Sequence, residues 1–114
     1  MNTGNHRAQI HALLRAHCRE LQQSLTPEEL EKLKAIPEDD LLVATHFGLA
    51  TFVRNRWLLV EDSPLMAAFD ADESYAEPDG VSAVLVCLLW RQLHGREATE
   101  SELDELLRRR CFYP

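Results

Sequence analysis

Pro78-Asp79-Gly80-Val81-Ser82-Ala83-Val84-Leu85-Val86-Cys87-Leu88-Leu89-Trp90-Arg91-Gln92-Leu93-His94-Gly95 is the stretch on which the fold turns. Two conformations compete for it. Val84 to Trp90 is a continuous apolar run containing β-branched valines, which is the pattern of a strand buried on both faces. Taken from Val81 to His94, the segment is 14 residues long, with a proline shortly before it and a glycine directly after it. Proline suits the first helical turn and glycine the left-handed cap, so length and punctuation together favour a helix. Because that helix is apolar nearly all round, it belongs at the centre of the domain.

Outward from this segment the chain keeps a helical rhythm. Ile10, Leu13, Leu14, His17/Cys18, Leu21 and Leu25 recur at three- and four-residue steps, placing one apolar stripe on a helix from His6 to Leu25. Thr26-Pro27-Glu28-Glu29 supplies an N-cap, a proline at the first helical position and a glutamate at N3, which opens a second helix to about Ala35. Pro37 ends it. Glu38-Asp39-Asp40 offers first-turn acids to a third helix with the stripe Leu42, Thr45/His46, Leu49, Phe52/Val53, running to about Arg56. Gly48 falls inside that helix at a cost of about 1 kcal/mol relative to alanine, which predicts close contact with another helix and not a break.

Ser63-Pro64 caps a short fourth helix over Leu65 to Phe69, and Asp70 to Glu77 reads as the longest loop. Thr99-Glu100-Ser101-Glu102 is a capping box for a last helix carrying Leu103, Leu106 and Leu107. The expected architecture is all-α. A single domain over 1–114 has five or six helices around the central one at 81–94, and 1–5 forms a flexible N-terminus.

Length and composition agree with one core. A chain of 114 residues is too short for two, and buries roughly two-thirds of its unfolded surface. At 46% hydrophobic and 27% charged it is neither disordered nor fibrous. The longest apolar stretch, Val81 to Trp90, falls well short of the roughly 20 residues needed to span a bilayer, so no membrane role is expected. Cys18, Cys87 and Cys111 form neither a disulfide framework nor a metal knuckle, and the N-terminus has no apolar signal core; a reducing cytoplasm is the expected location.

The middle of the chain carries a resemblance. His46-Phe47-Gly48-Leu49-Ala50-Thr51-Phe52-Val53-Arg54-Asn55-Arg56-Trp57, then Ser63-Pro64-Leu65, then Pro78-Asp79-Gly80-Val81-Ser82, resembles the small bacterial domains grouped as the domain of unknown function 6794 family. The likeness spans roughly residues 45 to 95. It implies a Phe-Gly-Leu helix with an Arg-Asn-x-Trp exit, a short leucine-containing helix, and a Pro-Asp entry with a serine ahead of an apolar helix. Glu77 and Gly80 stand where that pattern has a histidine and a second acid. The family implies no activity.

Chemistry-bearing groups are sparse. Asp79 and Ser82 suit the start of the central helix as caps, and no glycine-rich loop or Gly-x-Ser-x-Gly elbow accompanies the serine. The five histidines show no metal-ligand spacing; His46 reads as a core or boundary residue and Cys87 as a buried small hydrophobe. No catalytic residue, metal or cofactor is expected. Arg54-Asn55-x-Trp57 reads as a helix exit with a left-handed Asn55 cap and Trp57 folded inward, or as an interface anchor.

The charge map is more telling. The net charge is −7. Between Trp57 and Trp90 lie seven acids, Glu61, Asp62, Asp70, Asp72, Glu73, Glu77 and Asp79, with no lysine or arginine. A surface of that sign steers a basic partner and repels nucleic acid. The functional expectation is a non-catalytic protein-binding domain, in concrete form an immunity- or antitoxin-like inhibitor covering a cationic cleft. Its expected partner-binding residues are Glu61, Asp62, Asp70, Asp72, Glu73, Glu77, Arg54 and Trp57. The alternative is a nucleic-acid-associated or regulatory helical module using Arg54, Arg56 and Arg108-Arg109-Arg110.

Overall fold

A computed structural model describes residues 3–73 and 76–110. Seven α-helices run in order: α1 (Thr3–Ser24), α2 (Pro27–Ala35), α3 (Leu41–Thr45), α4 (Leu49–Val53), α5 (Pro64–Ala71), α6 (Pro78–Leu93) and α7 (Glu100–Arg110). A 3-10 turn at Glu38–Asp40 leads into α3, and Arg54–Leu58 is wound as a π turn after α4. Among the described residues there is no strand.

The contested segment is a helix. Val81, Ser82 and every residue from Val84 to Trp90 are buried. α6 is covered by α1, α2, α3, α4, the π turn and α7. A helix can be enclosed in this way because its backbone groups bond within the segment, whereas a strand at the same place would need a partner strand for its ladder. At its end, Gly95 takes φ +76. The amide of Gly95 bonds the carbonyl of Gln92 at 3.0 Å and that of Arg96 bonds Arg91 at 2.9 Å, the paired closure that needs a residue free to turn left-handed.

The caps predicted at Thr26 and Ser63 form. Thr26 and Glu29 bond each other's backbone amides reciprocally, and Ser63 Oγ accepts from the amide of Met66 above Pro64. Helix α1 starts at Thr3, ahead of the predicted His6, while Met1 and Asn2 lie outside the described residues. Its stripe of Ile10, Leu14, Cys18 and Leu21 is buried against α5 and α6. Two side chains of its polar flank reach further. Arg7 Nη2 meets Asp72 Oδ2 at 3.1 Å, and Asp104 Oδ1 on α7 takes Arg7 Nη1 at 3.4 Å and His11 Nε2 at 2.8 Å.

The predicted third helix is broken. His46, Phe47 and Gly48 form a turn, and Gly48 adopts φ −110, ψ −92, outside the helical region. A Cβ on Gly48 would meet nothing within 4 Å, so the glycine does not mark a close helix contact. The break restarts the chain at Leu49 in a new direction, so that Ala50 and Val53 bury against α6. The π turn follows, with the Leu59 amide on the Arg54 carbonyl at 2.7 Å. Its wider winding brings the consecutive Trp57 and Leu58 both inside. Asn55 sits within this turn and is not a left-handed cap; among the described residues the non-glycine residues with positive φ are Asp62 and Glu73.

Trp57 and Trp90 are only 6% and 8% exposed. Trp90 Nε1 also donates to the Ile36 carbonyl at 2.8 Å, tying α6 to the end of α2. Replacing Trp90 with alanine should cost about 3–5 kcal/mol in urea unfolding, and with phenylalanine roughly 1–2 kcal/mol, since the ring contact stays while the Ile36 carbonyl loses its donor. Equal midpoints for the two variants would show that the hydrogen bond, and not ring burial, sets the cost.

Candidate docking surface

Three residues expected on a binding face are occupied by the fold. Arg54 is a brace: its Nε lies 3.4 Å from Asp79 Oδ1, and its Nη atoms donate to Ser82 Oγ at 3.4 Å and to Thr51 Oγ1 at 2.9 Å. It ties the π turn to the start of α6. Asp79 therefore serves an ion pair and not a cap, while Ser82 Oγ donates to the Asp79 carbonyl at 2.8 Å. Trp57 packs inside, 5.4 Å from His17 and edge-on to Phe52 at 6.0 Å, with the Arg56 guanidinium 5.5 Å above its ring. Asp72 has a side chain only 1% exposed and pairs with Arg7, so its charge is spent holding α1 to the end of α5.

Glu61, Asp62, Asp70, Glu73 and Glu77 are exposed as expected. The first two precede α5, and Asp70 and Glu73 lie at its far end. Asp62 and Glu73 adopt φ of 60 and 59. That conformation suits glycine or asparagine and costs other side chains roughly 1–2 kcal/mol, so the acid side chains stand where they cost stability.

The apolar part of the surface was not anticipated. Phe47 is 89% exposed and Val43 84%, with Phe52, Leu59 and Val60 also at the surface. Between α2 on one side and α3 with α4 on the other runs a groove of about 460 Å³, lined by Leu25, Leu33, Ile36, Ala44, Leu49 and Phe52, with Glu29 and Lys32 also on its walls. Val43 and Phe47 lie one helical turn apart in sequence, beside the lining residues Ala44 and Gly48. Their apolar character away from the buried stripe was the available signal. An unbroken third helix would hide it; the turn at 46–48 exposes it. His46, expected in the core or at its boundary, is exposed and rests against the edge of Phe47 at 4.8 Å; the turn at 46–48 carries it outward.

Cys87 is buried. Cys18 donates to Gln92 Oε1 at 3.0 Å, and burial pushes its thiol up to about 11 although the Arg19 charge pulls the other way. A second concavity, joining α1 to the segment after α6 through Arg15, Cys18, Arg19 and Arg96, escaped the sequence reading because its members are scattered along the chain. Among the described residues no group of three or more His, Cys, Asp or Glu is placed to hold a metal ion, and no helix is long and apolar enough to cross a membrane.

The family model described as a domain of unknown function (DUF6794) matches the chain over residues 13–93. That span runs from the middle of α1 to the end of α6 and includes the groove, the π turn and α5. No curated protein and no solved structure matches the chain.

Glu73→Gly should raise stability by about 0.5–1 kcal/mol in urea unfolding, the relief of a left-handed side chain less the entropy of a freer unfolded chain. No gain would mean that the Glu73 side chain makes a compensating contact. Cys18 gives a pH signature. Its folded value near 11 exceeds the 9.0 of the free thiol, so the stability it contributes is complete below pH 9 and falls as pH rises toward 11. Wild type should lose more stability over that interval than Cys18→Ala; parallel curves would deny the burial effect.

Proposed function

The chain belongs to the family of domains of unknown function 6794, a grouping that states no activity, and from that premise we propose that it is a non-catalytic docking domain for a basic protein. Its α2/α3–α4 groove takes an apolar segment of the partner, and its acids steer the approach. The exposure of Phe47 carries this reading. Leaving a phenylalanine in water forgoes about 1.5–3 kcal/mol, and here its chain neighbour Gly48 lines the apolar groove. Helices with basic and apolar faces use such grooves.

Charge supports the same partner. Glu28, Glu29 and Glu31 on α2 and Glu38, Asp39 and Asp40 before α3 are exposed, as are the acids around α5. An inhibitor of the immunity or antitoxin kind, laid over a cationic cleft, is one concrete form of such a protein. The arginines invoked by the nucleic-acid alternative are dispersed: Arg54 is engaged with Asp79, Arg56 lies over Trp57, and Arg109 pairs with Glu105 at 3.7 Å.

The test is affinity capture from native lysate with wild type, Phe47→Asp and a Glu61/Asp70/Glu73→Lys triple variant. Phe47→Asp should abolish recovery of the partner while changing stability by less than about 0.5 kcal/mol, as is usual at the surface. The triple variant should associate at least about tenfold more slowly at low salt, with the difference shrinking above about 0.15 M as exposed charges are screened. Equal recovery by all three proteins at both salt levels would end the docking reading.

A further inference from the structure

The second half of α1 and the end of α6 enclose a cavity of about 200 Å³ together with the loop that follows. Arg15, Arg19 and Arg96 all line it. Such a concentration of cations is unexpected in a chain of net charge −7. The other described arginines with strong contacts are matched by carboxylates: Arg7 by Asp72 and Asp104, Arg54 by Asp79, Arg91 by Glu38 and Glu102, Arg109 by Glu105. Arg19 and Arg96 have no ion-pair partner among the described residues. Arg15 is positioned by donating from Nη2 to the Ala98 carbonyl at 3.2 Å. Like charges gathered in one concavity repel, and a bound anion removes that cost.

The wall of the cavity adds a neutral donor, the exposed Gln92. Gln92 Oε1 accepts from the Cys18 thiol at 3.0 Å, which fixes the carboxamide and leaves its NH₂ group for a ligand. Cys18 itself is a positioning residue here, since burial keeps it a neutral thiol. Leu88 supplies an apolar wall and Glu97 is the one carboxylate among the lining residues.

We propose that this pocket binds a small phosphomonoester, with the phosphoryl oxygens shared among Arg15, Arg19, Arg96 and the Gln92 amide. One guanidinium satisfies a carboxylate in a bidentate fork, whereas several forks and an amide suit the three terminal oxygens of a phosphoryl group. The volume admits that group with a short tail and is below the roughly 300 Å³ at which sites for larger ligands begin. Glu97 opposes a second anionic group, which selects a monoester with a neutral tail over a polyphosphate. The site shares no lining residue with the docking groove, and its occupancy does not depend on that reading.

The experiment is a titration of isotope-labelled full-length protein followed by nuclear magnetic resonance, using inorganic phosphate, glycerol 3-phosphate and acetate at matched ionic strength. Saturable shifts are expected for both phosphates at the Gln92 side-chain amide and the backbone of residues 15–19 and 95–98, with acetate at least about tenfold weaker. Arg19→Gln and Arg96→Gln should each weaken binding about tenfold, and Arg15→Lys should weaken it although the charge is kept. Glu97→Gln should tighten it about threefold, by removing a repulsion comparable to a modest surface charge pair. Arg19, Arg96 and Glu97 are exposed and Arg15 half-buried, so these substitutions leave the fold intact, which urea unfolding checks. Shifts of equal size for acetate, shifts that follow ionic strength alone, or unchanged binding in both glutamine variants of Arg19 and Arg96 would overturn the proposal. Phe47→Asp should bind the phosphates as wild type does, so loss of docking and loss of this site are told apart.

Discussion

A helix enclosed on every side imposes an arithmetic on its neighbours. α6 has no wet face along its buried run, so each of its sides must be covered by an apolar stripe from somewhere else in the chain. α1 can cover one side with Ile10, Leu14 and Leu21 at helical spacing, and α7 another with Leu103 and Leu107. The remaining sides face segments too short for full helices. There the chain uses α3, α4 and a π turn, each bending to keep contact with the same central rod. Arg54, reaching Asp79 and Ser82, fastens the π turn to the start of α6, and Trp90, reaching the Ile36 carbonyl, fastens the end of α2.

What the amino acids reveal on inspection is the part of the fold governed by near neighbours. Thr26 with Glu29, Ser63 with Pro64 and Gly95 after His94 are local devices, and each forms the contact its type and position imply. The 14-residue length from Val81 to His94 likewise decided helix against strand. The break at Gly48 was not legible, because a glycine is equally compatible with a tolerated helical interior and with the non-helical φ, ψ it adopts here. The same limit governed the site. Asp72 looked like one acid among seven, and only its approach to Arg7, 65 residues away, shows that it belongs inside. The exposed Phe47 and the gathering of Arg15, Arg19 and Arg96 depend on where helices cross, which periodicity does not specify.

The distribution of charge follows from that internal bracing. Arg7, Arg54 and Arg91 each turn part of their charge inward to hold two elements together. Most of the acids are left outside, so the surface is more negative than the composition alone conveys. The arginine-lined pocket is a local reversal of that field. Two opposite potentials on one small domain would, on the proposed readings, discriminate between ligands of opposite sign without any moving part.

Cys18 carries a consequence for oxidative chemistry. Peroxides and disulfides react with the thiolate, and a group titrating near 11 presents that form in roughly one molecule in ten thousand at pH 7. The sulfur beneath the arginines is thus a filler of volume and a hydrogen-bond donor to Gln92, chemically silent under oxidant exposures that would consume a cysteine activated by the same number of positive charges at the surface.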